Sequence, residues 1–124
     1  MSLNDVFSPT NRVALAPTAA RTATGQGSAV DVRQVVGLAQ FVLDCAAGTG
    51  TTPNLVVNIQ DSPDGSTGWA TVASFTAVTT VASAQDRALD VRSTRGFLRA
   101  QWTITGTTPS FTFSVNGLAA KVDR

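Results

Sequence analysis

Phe97-Leu98-Arg99-Ala100-Gln101-Trp102-Thr103-Ile104-Thr105 is the most regular stretch of the chain, and its period decides the fold class. Leu98, Ala100, Trp102 and Ile104 fall on one side, Arg99, Gln101, Thr103 and Thr105 on the other. A period of two with one apolar side is that of a half-buried strand. Phe111, Phe113 and Val115 repeat the pattern against Ser110, Thr112, Ser114 and Asn116. Gly106-Thr107-Thr108-Pro109 between them reads as a turn, so a C-terminal hairpin is expected.

Working outward, Leu55, Val57 and Ile59 alternate with Val56, Asn58 and Gln60, and the run stops at Asp61-Ser62-Pro63-Asp64-Gly65-Ser66-Thr67-Gly68 before resuming at Trp69 to Val78. Pro63 presets a turn dihedral and Gly65 accepts a positive one, which makes this a second hairpin. Phe41, Leu43 and Cys45 share one side of a strand from Leu38, followed by a loop from Ala46 to Pro53. Leu89 and Val91 mark a shorter strand, and weaker ones are expected at Val13 to Ala16, Arg21 to Thr24 and Val30 to Val32. Nothing carries a helical period. The sequence therefore predicts an all-β chain, a two-sheet antiparallel sandwich of seven to nine short strands with jelly-roll-like topology. Residues 1–11 are read as an extended, polar N-terminal arm ordered by a partner, and 12–124 as a single sandwich domain.

Composition narrows the chemistry. With 124 residues, the chain is expected to bury about two-thirds of its unfolded surface, enough for a real core. It has no His, no Tyr and no Glu, and Lys occurs once, at Lys121. The usual general bases and imidazole ligands are missing, so the chain is read as no enzyme, with no cofactor and no metal. A net charge of +1 supplies little of the positive excess that phosphate neutralisation demands, which argues against nucleic acid. No run approaches the roughly 18 apolar residues of a membrane span, and the first residues lack the basic start and apolar run of a leader. The single cysteine, Cys45, fits synthesis in a reducing cytoplasm.

Candidate sites are few. Asp61 and Asp64 supply two carboxylates where a calcium ion wants six to eight oxygens, so they read as turn residues that bond their own backbone. Cys45 shares a face with Phe41 and Leu43 and reads as a buried hydrophobe, since no histidine is there to activate it. Trp102 belongs to the core side, whereas Trp69 reads either as packing or as a platform for a sugar ring. Gly48-Thr49-Gly50 lacks the ending of a phosphate loop and reads as flexible connection. Arg87, Arg92, Arg95 and Arg99 form the densest basic cluster. Guanidinium pairs carboxylates bidentately, so Arg92, Arg95 and Arg99 are candidates for a partner interface, the alternative being a solvated face and turn. In the arm, Leu3, Val6 and Phe7 are candidate apolar anchors that would add an extended segment to a neighbour's sheet.

Taken in order, Leu55-Val56-Val57-Asn58-Ile59-Gln60-Asp61-Ser62-Pro63-Asp64-Gly65, Trp69, Ala88-Leu89-Asp90-Val91-Arg92, Gly96-Phe97-Leu98-Arg99-Ala100 and Thr108-Pro109-Ser110-Phe111-Thr112-Phe113 resemble small structural proteins of tailed bacteriophages. Within these, the chain is similar to the head decoration or cement proteins, over about residues 30 to 118. The resemblance implies a virion protein made in the host bacterial cytoplasm. It would lie on the capsid exterior, bind the major capsid protein and associate with itself as a homo-oligomer, dimer or trimer. Stabilisation would come from many weak contacts repeated over a shell. Two rival readings stand beside it, a phage tail or baseplate component and a carbohydrate-binding sandwich module.

Overall fold

The two alternating stretches near the C-terminus are halves of one bent strand, β8 (Phe97–Lys121), in the computed structural model, which describes residues 10–33 and 35–121. Before it come β1 (Thr10–Arg21), β2 (Gly25–Gln26), β3 (Val30–Asp31), β4 (Val35–Cys45), β5 (Thr49–Ser62), β6 (Ala70–Ser74), β7 (Ser83–Asp90) and a 3-10 turn, η1 (Val91–Ser93). The expected C-terminal hairpin is therefore corrected. Its two arms do not pair with each other; the first half of β8 pairs with β5 and the second with β4, both antiparallel. Gly106-Thr107-Thr108-Pro109 is a corner at which the strand changes sheets. Gly106 (φ 120°) and Thr108 (φ 47°) both take left-handed backbone there, and β5 kinks alongside at Gly50 (φ 106°) and Thr52 (φ 48°).

On its other edge β8 is followed by β1, β2 and β3 in turn, so residues 10–31 run antiparallel along nearly its whole length. Residues 35–62 do the same on the opposite side, and β6 and β7 flank them outside. The result is a long antiparallel sheet folded over at its middle. One layer reads β1-β8-β4-β7 and the other β2/β3-β8-β5-β6. This is the antiparallel sandwich with jelly-roll order that the sequence predicted. The eight strands fall within the expected number, but they are not short: β8 has 25 residues and β5 has 14.

Folding at the corner brings the two apolar stretches face to face. Trp102 meets Phe113 edge to face, with centroids 5.4 Å apart and planes at 79°. Phe41, Leu43, Leu55, Ile59, Leu98, Phe111 and Val115 fill the rest of the interior; each such side chain contributes about 1.5–3 kcal/mol on burial. Gly117 lets the Phe41 ring lie against β8, since a Cβ there would come within 2.5 Å of that ring. Arg21 covers one end of this core, its guanidinium 4.4 Å from the Phe113 centroid and 4.7 Å from that of Trp102, and burial lowers its pKa.

Several smaller expectations are also corrected. Arg21 to Thr24 is not a strand of its own: β1 ends at Arg21 and pairing resumes at Gly25. The expected loop from Ala46 to Pro53 is mostly strand, because β5 starts at Thr49. The strand from Trp69 to Val78 is regular only over Ala70–Ser74, though Phe75 and Val78 still bond Val57 and Leu55. Val91 lies in η1, where the Asp90 side chain caps the Arg92 N–H. Gly48 is not a flexible connector. It is buried and donates its N–H to the Thr79 carbonyl at 2.9 Å, and a Cβ there would overlap the Phe111 ring.

The sheet edges are closed by side chains. Gln85 imitates a peptide group, accepting from the Thr76 N–H at 2.7 Å and donating to the Thr76 carbonyl at 2.8 Å, while Arg87 donates to the Ser74 carbonyl at 3.0 Å. Beside Pro17 in β1, Arg21 donates to the carbonyls of Pro17 and Ala19. Satisfied edges resist open-ended strand addition. Gly48→Ala is expected to lose about 1–3 kcal/mol, the cost of overpacking a filled interior, read as a lower urea midpoint at an unchanged slope.

Candidate interaction site

The folded-over sheet gathers at one end the β5–β6 turn, η1, the start of β8 and the link from β3 to β4. Three of the sequence-predicted interface residues, Arg92, Arg95 and Arg99, lie on this stretch, and each is held differently. Arg87 is apart from them on β7, engaged at the edge described above.

Arg95 is a latch. Its Nη2 donates to Asp61 Oδ1 at 2.8 Å, to the Asp61 carbonyl at 2.8 Å and to the Gly68 carbonyl at 2.5 Å. Its Nε and its backbone N–H reach the two carboxylate oxygens of Asp61, each at 3.1 Å. Asp61 is 4 % exposed, because β5 continues its inward period through Leu55, Val57 and Ile59 to this carboxylate. The expectation that Asp61 bonds its own turn is thus corrected: its partner is Arg95. For Asp64 that expectation stands. Its carboxylate accepts from the N–H groups of Thr67 and Ser66 and from the hydroxyls of Thr67 and Ser62.

Arg99 lies over Trp69 with its guanidinium carbon 4.2 Å from the ring centroid, and its Nε donates to Gln60 at 2.8 Å. Trp69 is half-buried, and one face of its indole is taken by this cation instead of standing open for a sugar. Arg99 belongs to a polar outer surface of the second sheet, where Ser74 donates to Asn58 and Asn58 to Gln101.

Arg92 is exposed, and among the described residues its guanidinium makes no hydrogen bond. Together with Arg95 it borders an open cleft of about 310 Å³, whose apolar wall is the buried pair Val32 and Val91. The third arginine here, Arg33, escaped sequence reasoning because it follows only a weak strand. It stacks over Phe97 at 4.9 Å and is clamped by Asp31 at 2.7 Å. Arg92 and Arg95 are thus brought together with Arg33, and Arg99 stands beside them on the outer sheet surface. Leu3, Val6 and Phe7 lie outside the described residues.

A second exposed feature was not anticipated. On the outside of the β1-β8-β4-β7 layer Leu38, Val42 and Leu118 are 69 %, 40 % and 53 % exposed. Val42 and Leu118 border a shallow depression of about 160 Å³ together with Gln40 and Asn116. The signal was present in β4, where Leu38 and Val42 sit out of phase with Phe41, Leu43 and Cys45.

Cys45 is buried as expected, its thiol pushed up to about 11 by burial first and by the Asp44 charge second. Among the described residues there is no group of three or more potential metal ligands, and no helix is long and apolar enough to cross a membrane.

No family model matches the chain, and no curated protein matches it. Of three similar solved structures, the first shares its fold. A chain of the Bacillus endospore appendages, described as a novel family of disulfide-linked pili, aligns with a TM-score of 0.53 and 17 % identity, over 92 % of this chain and 88 % of that one. The SPBc2 prophage-derived protein YomS aligns at 0.47 and 10 % identity over 90 % and 93 % of the two chains. VP2 from the subviral particle of infectious bursal disease virus aligns at 0.48 and 10 % identity, where this chain covers 32 % of VP2.

Arg95→Ala strands the Asp61 carboxylate inside the protein and is expected to cost about 3 kcal/mol, the low end for a broken buried pair because Arg95 is itself 41 % exposed. Chemical denaturation checks it, and Arg92→Ala should leave the midpoint unchanged.

Acid should act through Asp31 and Asp64. Arg33 lowers Asp31 from 3.8 to about 2, chiefly through its side-chain hydrogen bond. The Thr67 N–H, followed by that of Ser66, takes Asp64 lower still. A carboxyl lowered on folding contributes fully above its unfolded pKa and loses that contribution as pH falls through the folded value. Urea midpoints should therefore fall as the pH drops from about 4 towards 2, and Asp64→Asn should make that fall shallower throughout.

Proposed function

We propose that the protein is a structural subunit of a tailed-phage particle, a decoration or cement protein that lies on the outside of the capsid and strengthens contacts between major capsid protein subunits without catalysis. The observation that carries this reading is the contrast between a latched interior and an exposed apolar outer surface at Leu38, Val42 and Leu118 on a rigid sheet. The polar groups that would make chemistry are engaged within the chain: Asp61 by Arg95, Asp64 by its own turn, Arg99 by Gln60 and Trp69. What is left outside is contact surface, and Arg92 is positioned to meet a carboxylate of a partner.

The two-sheet jelly roll recurs in viral capsid domains, which fits this role as analogy only, since a fold hosts many functions. Rigid sheets with short polar side chains lose little side-chain entropy at an interface, and a shell multiplies weak contacts into firm attachment. A small homo-oligomer, dimer or trimer, would add avidity of the same kind. The carbohydrate reading is less well supported because Arg99 occupies the Trp69 face.

Separated heads and tails from purified particles, analysed by mass spectrometry, test the proposal. The protein is expected with the heads, and heads stripped of it should break at lower temperature. Recovery with tails would overturn the capsid assignment, and absence from particles would overturn the virion role.

A further inference from the structure

We infer that the cleft beside Arg92 is a docking site for an extended acidic segment of a partner protein, which lays an apolar side chain on Val32 and Val91 and brings a nearby Asp or Glu carboxylate to the Arg92 guanidinium. This rests on the reading of the chain as a contact subunit and deepens it by giving the chemistry of the segment it meets. The cleft lies where the interior runs out. Val32, just after β3, and Val91, in η1, are 2 % and 3 % exposed and belong to the hydrophobic core, yet both border an open space of about 310 Å³. That is the low end for a ligand site and suits a side chain or two of a docked segment.

The walls are set before anything binds. Val32 donates its N–H to the Gly96 carbonyl at 2.9 Å, and the Val91 carbonyl accepts from the Thr94 N–H at 3.1 Å and the Thr94 hydroxyl at 2.6 Å. Asp31 holds Arg33 through Nε and Nη2, and Asp61 holds Arg95 through the same two atoms. Among the described residues the guanidinium of Arg92 makes no hydrogen bond, since only its backbone N–H is engaged, by Asp90. A site fixed in this way loses little entropy when it is filled.

Charge chooses the occupant. Arg33 is offset by Asp31 and Arg95 by Asp61, and Asp90 adds a further carboxylate close to Arg92. One guanidinium is therefore on offer for one carboxylate, which it can take bidentately. The concentrated positive charge that holds a polyanion is not there. In an extended segment, side chains two residues apart lie on the same side about 7 Å from each other, so an apolar residue and an acid at that spacing reach floor and rim together.

Heteronuclear NMR of the full-length protein, titrated with the blocked peptide acetyl-Ser-Leu-Thr-Glu-Ser-amide, tests the site. Shifts are expected at the Val32 and Val91 methyls and the Gly96 amide. Binding should weaken about tenfold when Gln replaces Glu in the peptide and equally in Arg92→Ala, the loss of one charge-assisted hydrogen bond, while Arg92→Lys retains part of it. With Ser in place of Leu in the peptide, the valine methyl shifts should be lost. Unchanged binding of the Gln peptide or by Arg92→Ala would overturn the inference, as would the absence of shifts at the cleft. So would displacement of the peptide by equimolar inorganic phosphate, which would mark a general anion site. The titration uses isolated protein, so its failure leaves the assignment to heads or tails standing, and recovery of the protein with tails would leave the titration unchanged.

Discussion

The corner in β8 is the constraint on which the molecule depends. A strand of 25 residues that stayed flat would leave one apolar face in water along its whole length. Bent at Gly106 to Pro109, it turns Trp102 onto Phe113 and closes the same face on itself. Its neighbours must bend with it, and they do: β5 kinks at Gly50 to Thr52, and β1 gives way to β2 near Arg21. The two layers are thus one sheet folded once, and the interior is the inside of the fold.

This geometry also distributes the outside. At the corner end Arg21 covers the aromatic core and Gly48 packs under Phe111. At the opposite end the arginine latch and the cleft beside Arg92 come together, because the start of β1, the β3–β4 link, the β5–β6 turn and η1 all arrive there. The latch ties a turn to a segment 34 residues away and so fixes this end of the sandwich. The outer surface of one layer is apolar with carboxylates, and that of the other is an amide and hydroxyl ladder capped by Arg99.

Much of this was legible in sequence. Alternation at Leu55 to Ile59, Leu98 to Ile104 and Phe111 to Val115 placed the central strands, and Pro63 with Gly65 gave the β5–β6 turn. The corner was not legible, because glycine and proline serve a sheet-switching bend by the same backbone freedom that serves a hairpin, and only long-range pairing separates the two. Asp61 was misread for a related reason. Its local context is a turn, yet its phase with Leu55, Val57 and Ile59 points inward and demands a cation, and no local rule names Arg95. β7 lacks apolar alternation because it is an edge whose half-buried positions, Gln85 and Arg87, are spent on bonding the neighbouring backbone.

The folded single strand is tested most directly by backbone proton contacts across the sheets in solution. Our reading places Thr103 opposite Val56 and Val115 opposite Leu43, and cross-strand contacts for both pairs are the result it requires. Contacts linking residues 97–105 to residues 110–116 as two paired strands would restore the C-terminal hairpin and contradict it.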